Sequence, residues 1–532
     1  MEARDPVLNI RQYRAFTAGV AVAWLSALPV SAQELNSRIE SALANFKLAS
    51  AKVGVCVLDL ETGRTLADLR ADEPLIPASN MKLITSGAAL LTLGKDFVFR
   101  TEFLVDGDRL IIRGSGDPAL ADTWVLERSP EKLSVDGLVQ TLAGAVAKAG
   151  VTQIREVVVD DRIFDRQYVH PTWPQGQLDK WYCAEVAGVN FHTNVLSVFP
   201  IPSRQGPGQP PAYSLEPSAP WLEIENKART INSSKNSVWV GRDPGTSKLT
   251  LFGEVGIPTR VPIEITIRDV PTFAGQLFAG ALPGAGVGVG TIPAAERMTR
   301  DQMAEAIKSV RLAGPGEKLE GRVVAVVTTP IEEALERCNG DSQNLYAECF
   351  IKRLGHEVTG EPGSWTNGSS VIRMKLAEPP PKGLGPAAAA STQIADGSGM
   401  SREDRVAPRT LVRWLDRLQG DPVVGSTFVT SLASPLYKES LRRRFKDQKL
   451  KCDLRGKTGT IDGVRCLSGY LTDEATGRRL AFSVMVNDVK EGEQALQALN
   501  FHEEVVKIAD AWLASHRPSR PAATVPQLGG DR

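Results

Sequence analysis

Between residues 98 and 299 the chain changes character, and any fold it adopts must accommodate that change. Before this stretch the pattern is a hairpin and then a helix. Val53, Val55, Val57 and Leu58 make an apolar strand, Glu61-Thr62-Gly63 a turn, and Arg64 to Leu69 runs back. Pro74 and Pro77 lie in an extended link. From Ser79 the period becomes helical, with Met81, Ile84, Ala88 and Leu91 on one face and Gly94 at the end. Within 98–299 the signal is short apolar runs of β type, such as Arg109 to Ile112 and Glu156 to Val159. Pro/Gly-rich loops such as Ser203 to Pro211 separate them, which predicts one or two mainly β modules. Gly284 to Gly290 is glycine-rich but has Val289 where GxGxxG needs its last glycine, so it reads as a flexible connection.

After residue 300 helices resume. Asp301 to Ala313 and Ile331 to Arg337 are helical by period, and Leu345 to Leu354 follows the capping-type pair Asp341-Ser342. Pro379 to Ala390 reads as a loop and Arg409 to Leu418 as an amphipathic helix. Residues 452–488 read as strands around the turn Asp462-Gly463, and Gln494 to Leu513 as a closing helix. His516 to Arg532 is Pro/Gly-rich and reads as a disordered tail.

With 532 residues the chain is too long for one ordinary domain. Lys+Arg and Asp+Glu both number 62, so no global basic field exists to hold nucleic acid. Arg11 and Arg14 precede the apolar run Ala15 to Leu25, and Leu28-Pro29-Val30-Ser31-Ala32 suits cleavage after Ala32. Residues 1–32 therefore read as an export signal, with a retained N-terminal anchor as the alternative. No later stretch is long and apolar enough to span a membrane, so the mature form is expected not to span one. The six cysteines, Cys56, Cys183, Cys338, Cys349, Cys452 and Cys466, permit disulfides in an exported protein and equally suit buried thiols. No CxxC pair points to a zinc ribbon or a thioredoxin-type site.

Three short motifs follow one another: Ser79-Asn80-Met81-Lys82, Ser342-Gln343-Asn344 and Lys457-Thr458-Gly459. A closely similar trio marks penicillin-binding proteins and class A β-lactamases. Each alone is weak, because chance also supplies Ser129-Pro130-Glu131-Lys132 and Ser234-Lys235-Asn236. Taken singly, Ser79 and Ser342 also read as helix N-caps, and Lys457 as a lysine protecting an edge strand. Context separates the motif from its decoy. Ser79 opens a helix and so puts Lys82 one turn away on the same face, whereas Ser129 has proline beside it and no long apolar helix after it. A serine hydroxyl is a poor nucleophile until a neighbour takes its proton, and Lys82 can do so when neutral. Burial and the positive charge of Lys457 are both expected to lower the Lys82 pKa. Ser342 is placed to relay a proton to the leaving amine, and Asn344 to hydrogen-bond the substrate amide. Lys457 and Thr458 supply a charge and a hydroxyl suited to a terminal carboxylate. Backbone N–H groups of Ser79 and Thr460 would form the oxyanion hole.

With these motifs the sequence resembles the low-molecular-mass class C penicillin-binding proteins, a family of serine D-Ala-D-Ala carboxypeptidases and endopeptidases. The resemblance runs from about residue 34 to 515. It is carried by Pro74 to Lys82, Gly116-Asp117-Pro118, Ser342 to Glu348, Asp396-Gly397-Ser398-Gly399-Met400-Ser401-Arg402, Gly456 to Thr460, Gly463-Val464 and Leu467 to Tyr470. It implies an α/β (α+β) catalytic domain of the serine β-lactamase/transpeptidase type, an antiparallel sheet flanked by helices and split by a long, mainly β insertion. The domains implied are a signal peptide to 32, a discontinuous catalytic domain over 33–97 and 300–516, an insertion over 98–299 and a tail from 517. The gap of 260 residues from Lys82 to Ser342 fits such an insertion. The resemblance also implies peptidoglycan stem peptides as substrate, β-lactam antibiotics as covalent inhibitors, no cofactor, and a periplasmic or secreted location. Glu185 stands where the family suggests proline or a small turn residue, and Asn190 to Asn194 match it imperfectly. Gln343 replaces the commoner Asp.

Two alternatives share parts of this pattern. A β-lactamase uses the same chemistry but lacks so long an insertion. A non-catalytic cell-wall-binding protein predicts loss of Ser79, Lys82 or Lys457, and all three are present. A zinc peptidase is disfavoured, since His356-Glu357 and His502-Glu503 both lack the second histidine of HExxH. Five histidines and no GxSxG elbow leave little scope for a Ser-His-Asp triad.

Overall fold

Alternating Val53, Val55 and Val57 make the strand Lys52–Asp59, which turns at Gly63 (φ 69°) into Thr65–Leu69. In the computed structural model, which describes residues 29–243, 246 and 248–517, this hairpin is one end of a five-stranded antiparallel sheet. The order runs Asp453–Ile461, Val464–Thr472, Arg479–Asn487, Lys52–Asp59, Thr65–Leu69. First and last segments of the chain thus pair in register, Val55 opposite Val484 and Val57 opposite Phe482. The inner strands are buried almost end to end, which is why they read as apolar runs instead of alternating ones. The helices Pro29–Ala44 and Glu493–Ser515 pack together, joined by the edge-to-face pair Phe46 and Phe501 at 5.6 Å.

The chain divides into two compact units. The sheet just described belongs to the first, formed by residues up to 75, 407–416 and 434 onward. The second comprises 76–406 and 417–433. Its largest sheet has the order Val310–Leu312, Glu156–Asp160, Arg109–Gly114, Val98–Asp106, Arg322–Pro330, and smaller sheets accompany it. The first three strands are parallel and the rest antiparallel. Two of its strands, Val310–Leu312 and Arg322–Pro330, come from beyond residue 299, so the sheet of the 98–299 region continues to Pro330. Four helices of this unit also pack together: Met81–Leu93, Ile331–Asn339, Asn344–Thr359 and Trp365–Ala377.

Three local expectations differ from the structure. The 98–299 stretch carries two buried helices, Val135–Lys148 and Val270–Ala281, among its strands. Ser134 caps the first by accepting the Gly137 N–H, and Leu138, Leu142 and Val146 give it an apolar face that packs into the sheet core. The short β-type runs around it hid that period. The helix expected from Asp301 to Ala313 stops at Ala306, and Val310–Leu312 becomes a strand beside Glu156–Asp160. Here β-branched Val310 and parallel pairing override the helical period. The glycine-rich connection is ordered: Gly288 and Val289 pair with Gln153 and Ile154.

The expected export signal lies outside the described residues except for its last four, whose backbone opens the helix Pro29–Ala44. The tail expected to be disordered lies outside them from residue 518. Among the described residues no helix is long and apolar enough to cross a membrane. All six cysteines are buried free thiols.

Candidate active site

Ala78 adopts φ 46°, an uncommon conformation for a side-chain-bearing residue, and Ala78–Asn80 form one tight 3-10 turn. That turn runs straight into the helix Met81–Leu93, so Ser79 and Lys82 stand one turn apart. Lys82 is completely buried while Ser79 is half-buried. Lys82 Nζ has three neighbours: Ser79 Oγ at 3.0 Å, Asn344 Oδ1 at 2.7 Å and the Ser398 carbonyl at 2.9 Å.

The orientation of Asn344 is fixed by its other end. Its Nδ2 donates to the Tyr182 carbonyl at 2.9 Å, so Oδ1 is the atom turned to Lys82. Asn344 opens the helix Asn344–Thr359. Ser342, two residues earlier, is held at φ 63° in the turn that starts it. The Gln343 N–H closes that turn on the Arg337 carbonyl at 3.1 Å. Arg337 is itself held by Asp122, which accepts from its Nε at 2.9 Å and from the Tyr346 hydroxyl at 2.6 Å. The motif Ser342-Gln343-Asn344 is thus anchored through a buried ion pair.

Burial lowers the Lys82 pKa to about 8, opposed by Cys338, Glu348, Asp396 and Asp404. Within this unit the acidic groups near Lys82 work against burial and favour its ammonium form. A lysine with a pKa of about 8 is neutral in about one molecule in ten at pH 7, far more than an ordinary lysine.

Sequence reading noted Asp396 to Arg402 but gave them no task. They form the wall behind Lys82. Gly399 (φ 81°) passes so close to the turn before Ser79 that a Cβ there would collide with the Ala78 carbonyl. Gly397 passes in the same way against the Ala347 carbonyl. Glu348, buried on the Asn344 helix, accepts the N–H of Ser398 at 2.8 Å and of Gly397 at 2.9 Å. It also accepts from Trp365 Nε1 at 2.7 Å. Burial, with the charge of Asp396, raises its pKa to about 7. The only sequence signal for Glu348 was an acidic residue on the apolar face of a helix that should bury it.

Lys457, Thr458 and Thr460 lie in the other unit, on Asp453–Ile461, an edge strand of its sheet. They pair opposite Ser468, Leu467 and Arg465. Lys457 is buried and its Nζ donates to the Thr458 carbonyl at 2.9 Å, while Thr460 is exposed.

The decoys serve as turns. Ser129 Oγ accepts the Lys132 N–H at 3.2 Å and donates to the Leu126 carbonyl at 3.0 Å. Asn236 Oδ1 accepts the N–H groups of Gly256 and Ile257. Gly116-Asp117-Pro118 is structural too, with Asp117 accepting from Ala119 N–H and the Thr329 hydroxyl, both at 2.9 Å. Glu185 is buried near Arg268, 3.6 Å away, and the turn at 192–194 has positive φ throughout, which accounts for the unusual composition of that segment.

Comparison with known proteins gives one consistent answer. Residues 35–510 match the D-Ala-D-Ala carboxypeptidase 3 (S13) family. The chain is 30% identical over 470 residues to the D-alanyl-D-alanine carboxypeptidase of Actinomadura sp. (strain R39), spanning 85% of this chain and 81% of that protein. It is 20% identical over 470 residues to the D-alanyl-D-alanine carboxypeptidase DacB of Haemophilus influenzae, spanning 83% and 86%. The crystal structure of penicillin binding protein 4 (dacB) from Haemophilus influenzae superposes with a TM-score of 0.65 at 17% identity, over 90% of this chain and 99% of that one. That likeness shows the fold, a mixed α/β architecture of antiparallel sheet and helices, as the sequence suggested.

Proposed function

The chain belongs to the D-Ala-D-Ala carboxypeptidase 3 (S13) family, and we propose that it carries out this hydrolysis with Ser79 as nucleophile and Lys82 as its base. One observation carries the reading: the hydrogen-bond set of Lys82. A neutral amine has two N–H groups and one lone pair. The Asn344 Oδ1 and the Ser398 carbonyl can only accept, so they take both N–H groups. The lone pair is left for the third neighbour, the Ser79 hydroxyl.

Ser79 Oγ attacks the carbonyl carbon of the penultimate D-alanine while its proton passes to Lys82 Nζ. The C–N bond then breaks, the terminal D-alanine leaves with a proton relayed by Ser342, and the remaining acyl group stays esterified to Ser79. Water hydrolyses the ester and restores the serine. Backbone N–H groups of Ser79 and Thr460 stabilise the oxyanion. Lys457 and Thr458 bind the terminal carboxylate. Asn344 serves chiefly to orient the lysine, with its second amide N–H left for the substrate amide. The same step on a cross-linked stem peptide is an endopeptidase cleavage. A β-lactam offers an equivalent carbonyl, and its amine stays tethered after ring opening, so the adduct persists. The export signal read over residues 1–32 would deliver the enzyme to the periplasm or beyond, where peptidoglycan lies.

The test is labelling with a fluorescent penicillin followed by mass spectrometry of the adduct. Modification is expected on Ser79 and is lost in Ser79→Ala. A label on Ser129, or none on folded protein, contradicts the assignment.

A further inference from the structure

Behind Lys82 three carboxylates are buried together without a metal-binding arrangement among the described residues. Glu348 and Asp396 are fully supplied with donors. Asp396 Oδ1 accepts the Gly399 N–H at 2.7 Å, and its Oδ2 accepts the Ser401 N–H at 2.7 Å and Trp173 Nε1 at 2.8 Å. Asp404 is different. Its Oδ1 accepts the Ala395 N–H at 2.7 Å, but its Oδ2 is buried with no donor facing it. Its side chain instead meets that of Asp396. Two carboxyl groups hydrogen-bond only through a shared proton. Asp396 already takes three N–H donors, as an ionised carboxylate does, so the proton belongs on the bare oxygen of Asp404, which then donates to Asp396. Burial also holds the Asp404 carboxyl well above the usual range.

The consequence lies one peptide bond away. The N–H of Gly399 and the carbonyl of Ser398 belong to the same peptide unit. Asp396 holds its N–H end and Lys82 Nζ meets its carbonyl end. We propose that Asp396, receiving a hydrogen bond from a protonated Asp404, is a positioning residue: it fixes the Ser398–Gly399 peptide so that the carbonyl claims one N–H of Lys82 and turns the amine lone pair to Ser79. The inference rests on Lys82 being the base for Ser79. Asp396 acts through the backbone and touches no substrate. Glu348 braces the preceding peptide, whose Gly397 carbonyl accepts from Thr85 Oγ1 at 2.8 Å.

The experiment compares Asp396→Asn, Asp404→Asn and Asp404→Ala in the full chain. The readouts are the rate of penicillin acylation, the Ser79 adduct by mass spectrometry and thermal unfolding by circular dichroism. In Asp396→Asn the acylation rate at saturation should drop by about a hundredfold with the half-saturating concentration unchanged. Asp404→Ala should fall similarly. Asp404→Asn should stay within about threefold of wild type, because its amide N–H donates to Asp396 as the acid did. Infrared difference spectra, wild type minus Asp404→Asn, should contain a protonated carboxyl band at neutral pH. Four results overturn the proposal: wild-type acylation in Asp396→Asn, wild-type acylation in Asp404→Ala, a folded Asp404→Asn as impaired as the alanine variant, or no such band. The last two decide the matter if Asp396→Asn or Asp404→Ala does not fold. A wild-type protein with no Ser79 adduct would instead remove the underlying assignment of the nucleophile.

Discussion

Asn344 Oδ1 accepts a hydrogen bond from Lys82 Nζ at 2.7 Å, across 262 residues of chain. A neutral acceptor at that point takes an N–H without stabilising a full positive charge. Asn344→Asp would put a carboxylate there and favour the ammonium form. The Lys82 pKa should then rise above its present value of about 8, and the rising limb of the penicillin acylation profile should move to higher pH. A pH–rate profile of the variant that overlays the wild-type one would contradict this.

The wild-type enzyme should acylate faster as pH rises through about 8 and then level off, because Lys82 acts only when neutral. Stability has a matching sign. The folded-state pKa lies below the ordinary 10.5, so between the two values the unfolded chain binds the extra proton. This residue's contribution to stability therefore increases with pH across that window, and Lys82→Met should remove the increment. Urea unfolding at several pH values measures it.

Asp122→Ala should destabilise the protein by about 3–5 kcal/mol, since it removes the more buried of the two carboxylates paired with Arg337, leaving only Asp341, and strands the Tyr346 hydroxyl in the interior. The turn bearing Ser342 hangs on the Arg337 carbonyl, so acylation should slow in the same variant. Chemical denaturation reads the first effect and penicillin labelling the second; a loss below about 1 kcal/mol would mean the pair is dispensable.

Lys457→Ala should impair both acylation and cleavage of a D-Ala-D-Ala peptide, since the proposed cation for the terminal carboxylate is gone. Removing one charge-assisted hydrogen bond of this kind should cost about 1.5–3 kcal/mol. Steady-state kinetics on a stem-peptide analogue, alongside penicillin labelling, reports it. Unchanged rates would take the carboxylate role away from this strand.

The thiols offer a check on the fold itself. All six are buried and free, and burial pushes the Cys56, Cys183 and Cys452 thiols up to about 12. A thiol reagent should leave the native protein unmodified and titrate six groups in denaturant without reductant. A lower count in denaturant would reveal a disulfide.

Local chemistry was legible in the linear chain. The hairpin over 52–70 could be read from alternating valines, and the Ser79 helix from its period and terminal glycine. Both rest on contacts between neighbours in sequence, which residue type alone specifies. The pairing of Lys82 with Ser79 is of this kind, one helical turn being enough to join them. The rest of the site is not local. Asp396 and Glu348 lie in segments that carry the resemblance, but nothing in the linear chain assigns them, or Asp404, a task beside Lys82. They matter because two glycines let the 397–399 backbone slide between the Ser79 turn and the Asn344 helix. The lone pair of Lys82 is aimed by acceptors that lie 262 and 316 positions away. Residue types decided which groups could exchange a proton. Asn344 could be picked out from its motif, but only packing decided where the amine points, because its second acceptor is the Ser398 backbone carbonyl, a group that every residue carries and no sequence pattern can distinguish.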